Sequence, residues 1–454
     1  MIINPLVLKL GMVRFATSFL VVLLVNVLNR VLVVDLLVPT ALVTFSFAFQ
    51  HVMTPVGLAT GYLSDAYPLW SRYRAPYIWG GMLLSLAVMP FFPGWAEALG
   101  AAPENRWLLY EGVLLFSLFG IGTTVSATAI NALLVDRFPE PERGSALTLV
   151  WIMTLVGFIA GSILISLLFP ENNSPALARM FGLVTVMVLA ITVWGAWGVE
   201  PKGGVNHLPR ERHLQLWPTL KFLGSNGQTL TFFLFLASTI FFLAIQTFIL
   251  TPFGGQVLSL PVGQTSKFGV YTTYGVLLGM VGMQFWLGRQ SRLGEKAVLA
   301  LSLVGGGLAF ILLSWTAFKA SPVWGIYALW LLGLTRGLYN VGLSHLTMRL
   351  AHPALSGVFM GLWNLVSGLA LAGGEMLGGF LKDFLFQILG DLPRAYGWVF
   401  LLEGVGFLCC LLLLLPLKQE KYRPALAAML ARQTGPANLP VHGAAGLKAY
   451  DDPR

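Results

Sequence analysis

Charge is scarce in this sequence. Asp, Glu, Lys and Arg make up 10% of its 454 residues, where a soluble chain of this size carries roughly a quarter. That excludes an ordinary soluble domain. Cysteine is nearly absent as well. Cys409 and Cys410 are the only two, adjacent within an apolar run, which argues against a zinc site or a structural disulfide. The chain has no phosphate-binding glycine loop and no hydrolase triad, so nothing in it reads as an enzyme or as a metal centre. Lys and Arg outnumber Asp and Glu, 28 to 19, but the bases lie in short loops between apolar runs. They set membrane topology and are no nucleic-acid footprint.

What the chain does have is apolar length. It is 56% hydrophobic, with a mean hydropathy of +0.77, and reads as an all-α membrane protein whose first partner is the lipid bilayer. Apolar runs of about 20 residues predict twelve transmembrane helices: 11–34, 39–63, 77–96, 107–135, 145–169, 178–199, 229–250, 268–288, 297–318, 323–350, 357–381 and 397–416. The first run has no small-residue cleavage site after it, so no cleaved leader is expected. A basic stretch holding Lys202, Arg210, Arg212 and Lys221 divides the twelve. The organisation expected is an N-terminal six-helix half (1–199), a basic cytoplasmic linker (200–228), a C-terminal six-helix half (229–416) and a largely disordered tail (417–454). With both termini in the cytoplasm, the cytoplasmic loops collect most of the bases, as the positive-inside rule requires.

The loop after the second span carries Gly61, Asp65, Arg72 and Arg74. Asp65 can cap a helix start or pair with either arginine. A similar charged turn, Gly288, Arg289 and Arg292, follows the eighth span. This is the place where a duplicated half would put its copy.

Polar groups inside the bilayer raise a functional question. Asn26 lies in span one, Gln50 and His51 in span two, Arg336 and Asn340 in span ten, and Asn364 and Glu375 in span eleven. Arg336 and Asn340 share a face at helical spacing, as do Asn364 and Glu375. The short loop after span ten puts Arg336 and Glu375 at similar depths, within roughly 6 Å along the axis. An Arg336–Glu375 pair is therefore expected, either structural, proton-coupling or in contact with a ligand. The His51 imidazole would suit the magnesium of a chlorophyll-like ring. A bond to a neighbouring helix is its plainer role. Pro55 predicts a kink just after it. Arg30 and Asp35 are expected to pair, and Glu403 to anchor span twelve at the interface. Gly157/Gly161, Gly275/Gly279 and Gly374/Gly378 have the spacing of close helix contacts.

The loop Gly61-Tyr62-Leu63-Ser64-Asp65 through Arg72-Tyr73-Arg74 resembles the loop between the second and third spans of the major facilitator superfamily. Three stretches are more specific. They are Leu28-Asn29-Arg30-Val31, the run from Gln50-His51 to Arg74-Ala75-Pro76-Tyr77-Ile78-Trp79, and Gly357-Val358-Phe359-Met360-Gly361-Leu362-Trp363-Asn364 continuing to Lys382-Asp383. These, with Thr128 to Asp136 and Pro141-Glu142-Arg143, look like the PucC family, the bacteriochlorophyll delivery family of phototrophs. One departure is Asn364-Leu365, where that family usually has alanine and glycine.

The resemblance implies major-facilitator architecture, a photosynthetic (inner or thylakoid) membrane and a role in assembling light-harvesting or photosystem polypeptides. The cargo would be (bacterio)chlorophyll or the apoproteins themselves, and the loop at Gly61, Asp65, Arg72 and Arg74 would serve as a conformational latch. Two other readings stand beside it: a proton-coupled transporter of an amphipathic small molecule, and a structural subunit of a photosystem.

Overall fold

A computed structural model describes residues 4–66, 69–138, 140–168, 174–200, 227–289, 295–350 and 356–417. Residues 201–226 of the expected linker, the expected tail beyond Leu417 and Arg292 lie outside these residues.

In chain order the helices are α1 (Pro5–Val22), α2 (Thr40–Val52), α3 (Val56–Ala66), α4 (Ala75–Val88), α5 (Phe91–Ala101), α6 (Arg106–Arg137), α7 (Glu140–Leu168) and α8 (Ser174–Ala196). There follow α9 (Gly227–Ile245), α10 (Leu250–Gln256), α11 (Val262–Thr265), α12 (Lys267–Arg289), α13 (Glu295–Lys319), α14 (Pro322–Leu350), α15 (Ser356–Leu389), α16 (Leu392–Cys409) and α17 (Leu411–Leu414). Helix starts follow local chemistry. Asn4, Asn105 and Asp391 each accept a backbone N–H in the first turn of the helix that follows, which satisfies a donor that the helix itself leaves free.

Among the described residues, eight stretches are long and apolar enough to cross a membrane: Pro5–Asp35, Ala75–Ala101, Arg106–Leu134, Leu177–Ala196, Gly227–Gln256, Lys296–Lys319, Leu362–Leu389 and Leu392–Leu414. The expected spans at 39–63, 145–169, 268–288 and 323–350 are also helical, as α2–α3, α7, α12 and α14; within α7 the apolar stretch is the shorter Leu149–Ile165.

Three breaks interrupt the helices, and the first has an identifiable cause. Pro55 lacks the N–H that would bond the His51 carbonyl. The Thr54 amide (3.1 Å) and hydroxyl (2.5 Å) donate to that carbonyl instead. The helix thus divides into α2 and α3. After α1, the chain runs on in two π-helical segments, Leu23–Leu28 and Val31–Asp35. Between α9 and α10 the helix opens over residues 246–249.

Buried apolar side chains fall into two large clusters. One runs from Val7 to Val199 and also takes in Phe248. The other runs from Phe232 to Leu417. Phe248 thus leaves its own sequence neighbours and stacks edge-on to Phe47, 4.6 Å between ring centres. Glycines fix the helix neighbours. A methyl on Gly157 would meet the Phe15 backbone of α1, and one on Gly275 or Gly337 would meet backbone of α14 or α12. Gly374 and Gly378 lie against Phe241 and Ile245 of α9 in the same way. Such close approach lets backbones pack where no hydrophobic force between helices is available.

Candidate functional site at the α2–α15 seam

Helices α2 and α15 run side by side from one end of the membrane toward its middle. At the first end, the Ala41 amide donates to Asp383 Oδ2 at 2.6 Å. Lys382 Nζ donates to Thr40 Oγ1 and to Asp383 Oδ1, both at 3.0 Å. A carboxylate at a helix start satisfies free N–H groups and complements the helix dipole. Further along, Gly379 lies against Thr44, and Gly368 against Thr54. Glu375 lies between those two glycines.

Glu375 does not pair with Arg336. Its Oε1 stands 3.2 Å from Nε2 of His51, and its side chain is 1% exposed while that of His51 is 32% exposed. The contact lies off the line of a good hydrogen bond. Among the described residues neither carboxylate oxygen of Glu375 has a hydrogen-bond partner. A buried carboxylate needs partners of good geometry to offset its lost hydration. This one has a single imidazole beside it. His51 therefore faces a neighbouring helix, with its Nε2 beside the Glu375 carboxylate rather than in a well-aligned hydrogen bond.

The reason for the missing Arg336 pair is packing. The short connection between α14 and α15 joins only their ends. Gly333 and Gly337 draw α14 onto α12, and Gly374 and Gly378 draw α15 onto α9. Tyr339 of α14 reaches Thr239 of α9, hydroxyl to hydroxyl, at 2.6 Å. Tyr339 of α14 thus faces α9, whereas Glu375 of α15 faces α2. Arg336 and Asn340 are each partly buried.

Asn364 continues the face of α15 that carries Gly368, Glu375 and Gly379, and it is exposed. The seam is closed from Asp383 to Gly368 and open at Asn364. Gln50 is buried in α2, with its backbone against Gly120 of α6. Asn26 lies partly buried where Ser162 of α7 and Gly269 of α12 meet.

The closed end is reinforced by α1's π-helical extension. Asn29 Nδ2 donates to the Phe248 carbonyl at 2.7 Å, Arg30 to the Leu260 carbonyl at 3.1 Å, and Gln256 Nε2 to the Val33 carbonyl at 3.0 Å. Arg30 also pairs with Asp35 at 3.4 Å, as expected. Glu403 is no interfacial anchor. It is fully buried and accepts from the Gln246 amide at 3.3 Å, where the α9–α10 break frees backbone donors.

The loop at the other end is built around two residues, one of which the sequence reading missed. Arg74 is 4% exposed. Its Nε donates to Asp136 Oδ2 of α6 at 2.8 Å, and its terminal nitrogen donates to Ser64. Glu200, beyond the end of α8, accepts from the amides of Tyr73 and Arg74, each at 2.9 Å, and of Ala75 at 2.7 Å. One carboxylate thereby caps α4 and ties it to the α8 end. Glu200 stood in the sequence at the start of a polar stretch, with no local motif to mark it. Arg72 lines a pocket of about 180 Å³ with Trp79, Ala196, Trp197 and Gly198. Gly61 lies in α3 with open space around its Cα. The side chains of Asp65, Gly288 and Arg289 lie outside the described ones.

Comparison with known proteins places this geometry. A family model described as "PUCC protein" matches residues 27–422. The chain is similar to "Protein PucC" of Rhodovulum sulfidophilum, 29% identical over 394 residues, covering 83% of this chain and 84% of that one. It is similar also to "Bacteriochlorophyll synthase 44.5 kDa chain" of Rhodobacter capsulatus, 27% identical over 411 residues, covering 88% and 92%. Among solved structures, a bacterial homologue of the human lysosomal transporter Spinster, inward-facing and unoccupied, covers 93% of this chain and 97% of its own. It does so at a TM-score of 0.67 and 13% identity. That likeness shows that the two chains share a helical membrane fold.

Proposed function

Because this chain belongs to the PucC protein family, we propose that it is an assembly factor for photosynthetic pigment–protein complexes. It handles (bacterio)chlorophyll, or the light-harvesting or photosystem apoproteins that receive it, without covalent chemistry. In this reading it has twelve spans in two six-helix halves, residues 1–199 and 229–416. The basic linker 200–228, the tail 417–454 and both termini are cytoplasmic. The separate buried clusters support two halves. The positive-inside pattern supports the orientation.

The observation that carries the proposal is the family match over residues 27–422, joined to a seam closed at Asp383 and open at Asn364. That opening faces the cytoplasm in the proposed orientation, where a cargo made or inserted from that side would enter. The loop around Arg74 and Glu200 then serves as the latch. With His51 Nε2 engaged by Glu375, Asn364 is the better candidate to meet a pigment. The test is an absorption spectrum of the gently extracted protein from a phototrophic host. A red or near-infrared band at fixed stoichiometry, lost in Asn364→Ala and kept in His51→Ala, is expected. A colourless protein that captures antenna polypeptides assigns it to the apoprotein branch. A colourless protein without such partners overturns the proposal.

A second reading is favoured by one observation, the buried Glu375 with unbonded oxygens beside a titratable imidazole. It makes the chain a proton-coupled transporter of an amphipathic molecule. Glu375→Gln would then abolish gradient-driven flux while leaving binding intact.

A further inference from the structure

Among the described residues, Arg336 stands inside the membrane domain without a counter-ion. Arg14 lies over the Trp151 ring, 5.7 Å from its centre. Arg30 pairs with Asp35, and Lys382 with Asp383. Among the described residues Arg336 makes no hydrogen bond or ion pair. The carboxylates that could have served it are committed elsewhere: Glu375 faces His51, Glu403 accepts from Gln246, Asp383 holds Lys382 and the Ala41 amide, and Asp391 pairs with Arg394. The neighbouring Tyr339 hydroxyl is engaged by Thr239. A guanidinium stays charged at any relevant pH and offers five donors in a flat fork. Holding it inside a membrane without a partner is costly.

Its direction can be read from helical spacing. The lipid-facing line of α14 is marked by the exposed Val323, Tyr327 and Leu334. Gly333 and Gly337 face α12, and Tyr339 faces α9. Arg336 lies on the arc between those two contacts, away from the lipid line. Asn340, one turn on, shares the arc, and Ser344 one turn further is exposed. Ser344 donates to the Asn340 carbonyl at 2.7 Å. The Asn340 side-chain amide makes no hydrogen bond among the described residues, so its donor is free beside the arginine. One face of α14 thus runs from an exposed serine to a guanidinium unpaired among the described residues, with a free amide between them.

We infer that Arg336 and Asn340 form a binding site for the acidic group of an amphipathic ligand, a carboxylate or phosphate whose apolar body lies between α9 and α12. The acid site stands on Arg336 and Asn340 alone; only the identity of the apolar body as a chlorin rests on the pigment-handling reading. If that reading holds, the preferred cargo is a magnesium chlorin with its propionic acid free, rather than one whose acid is esterified.

The test uses the full-length protein in phosphatidylcholine nanodiscs, followed by quenching of tryptophan fluorescence. The probes are a magnesium chlorin with a free propionic acid, the methyl ester of the same chlorin, and phosphatidate. The free acid should bind about tenfold tighter than its ester, the worth of one charge-assisted contact. Arg336→Gln should remove that preference. Arg336→Lys should keep part of it, and Asn340→Ala should weaken it. These last two variants carry the test if Arg336→Gln does not fold. Equal affinity for acid and ester, unchanged by any of the three variants, overturns the acid site and leaves pigment handling standing. No binding of either chlorin, with Arg336-dependent binding of phosphatidate, overturns pigment handling and assigns the site to a lipid acid. Binding of no probe overturns both.

Discussion

Nε2 of His51 in α2 stands 3.2 Å from Oε1 of Glu375 in α15, and that carboxylate is almost fully enclosed. Removing the imidazole would leave a buried carboxylate with nothing beside it. The cost of breaking a buried pair from one side is about 3–5 kcal/mol. His51→Ala should therefore lower the Tm of the purified protein sharply. Adding Glu375→Gln to it should restore much of the loss, because a neutral amide is cheaper to bury than a charge. Equal Tm values for the single and double variants would show that the two residues are not coupled.

Glu200 makes a different prediction. Its two oxygens hold the amides of Tyr73, Arg74 and Ala75. Hydrogen bonds to a charged acceptor contribute about 1.5–3 kcal/mol each. In Glu200→Ala those three amides lose their acceptor while Arg74 keeps Asp136. Hydrogen exchange should accelerate at least about tenfold at residues 73–75 and remain unchanged in the middle of α6. Uniform acceleration across both regions would mean that Glu200 supports the whole half rather than the α4 start.

The closed end of the seam depends on Asp383. Its carboxylate caps α2 through Ala41 and holds Lys382. Losing a helix cap costs about 0.5–2 kcal/mol, and here Lys382 would also lose its charge partner. Thr44 is fully buried and packs against Gly379. A Thr44→Cys reporter should react slowly with an impermeant maleimide applied from the Thr40 side. Asp383→Ala should speed that reaction several-fold without moving the label on an exposed position such as Trp107→Cys. An unchanged rate would show that the α2–α15 seam holds without the cap.

These three sites differ in how far the sequence announced them. Hydropathy and the basic loops made the membrane class and most helices legible, because each follows from local composition. The Pro55 break and the Arg30–Asp35 pair were legible for the same reason. The partner of Glu375 was not. Counting residues from the α14–α15 connection gives only a depth for Arg336. Depth, however, says nothing of which neighbour a helix faces, and α14 and α15 are drawn onto α12 and α9 by glycine faces that meet only in three dimensions. Glu200 was missed because its three partners lie more than a hundred residues away. From its sequence position Glu403 reads as an interfacial anchor, because the break in span seven that it serves lies in another part of the chain.

The glycine faces can themselves be tested. A Cβ on Gly337 would run into the Val276 carbonyl oxygen and one on Gly333 into that of Thr272, both in α12. Neither can move aside, because backbone rather than a flexible side chain is in the way. Overpacking of this kind costs about 1–3 kcal/mol, so Gly337→Ala should lower Tm and loosen α14 from α12. Gly282, on the same α12, has nothing within 4 Å of a built Cβ. There alanine replaces a poor helix former at no steric cost and should leave Tm unchanged or raise it slightly, by the equivalent of about 0.5–1 kcal/mol. If both substitutions behave alike, close packing of α12 on α14 is not what keeps Arg336 turned away from α15.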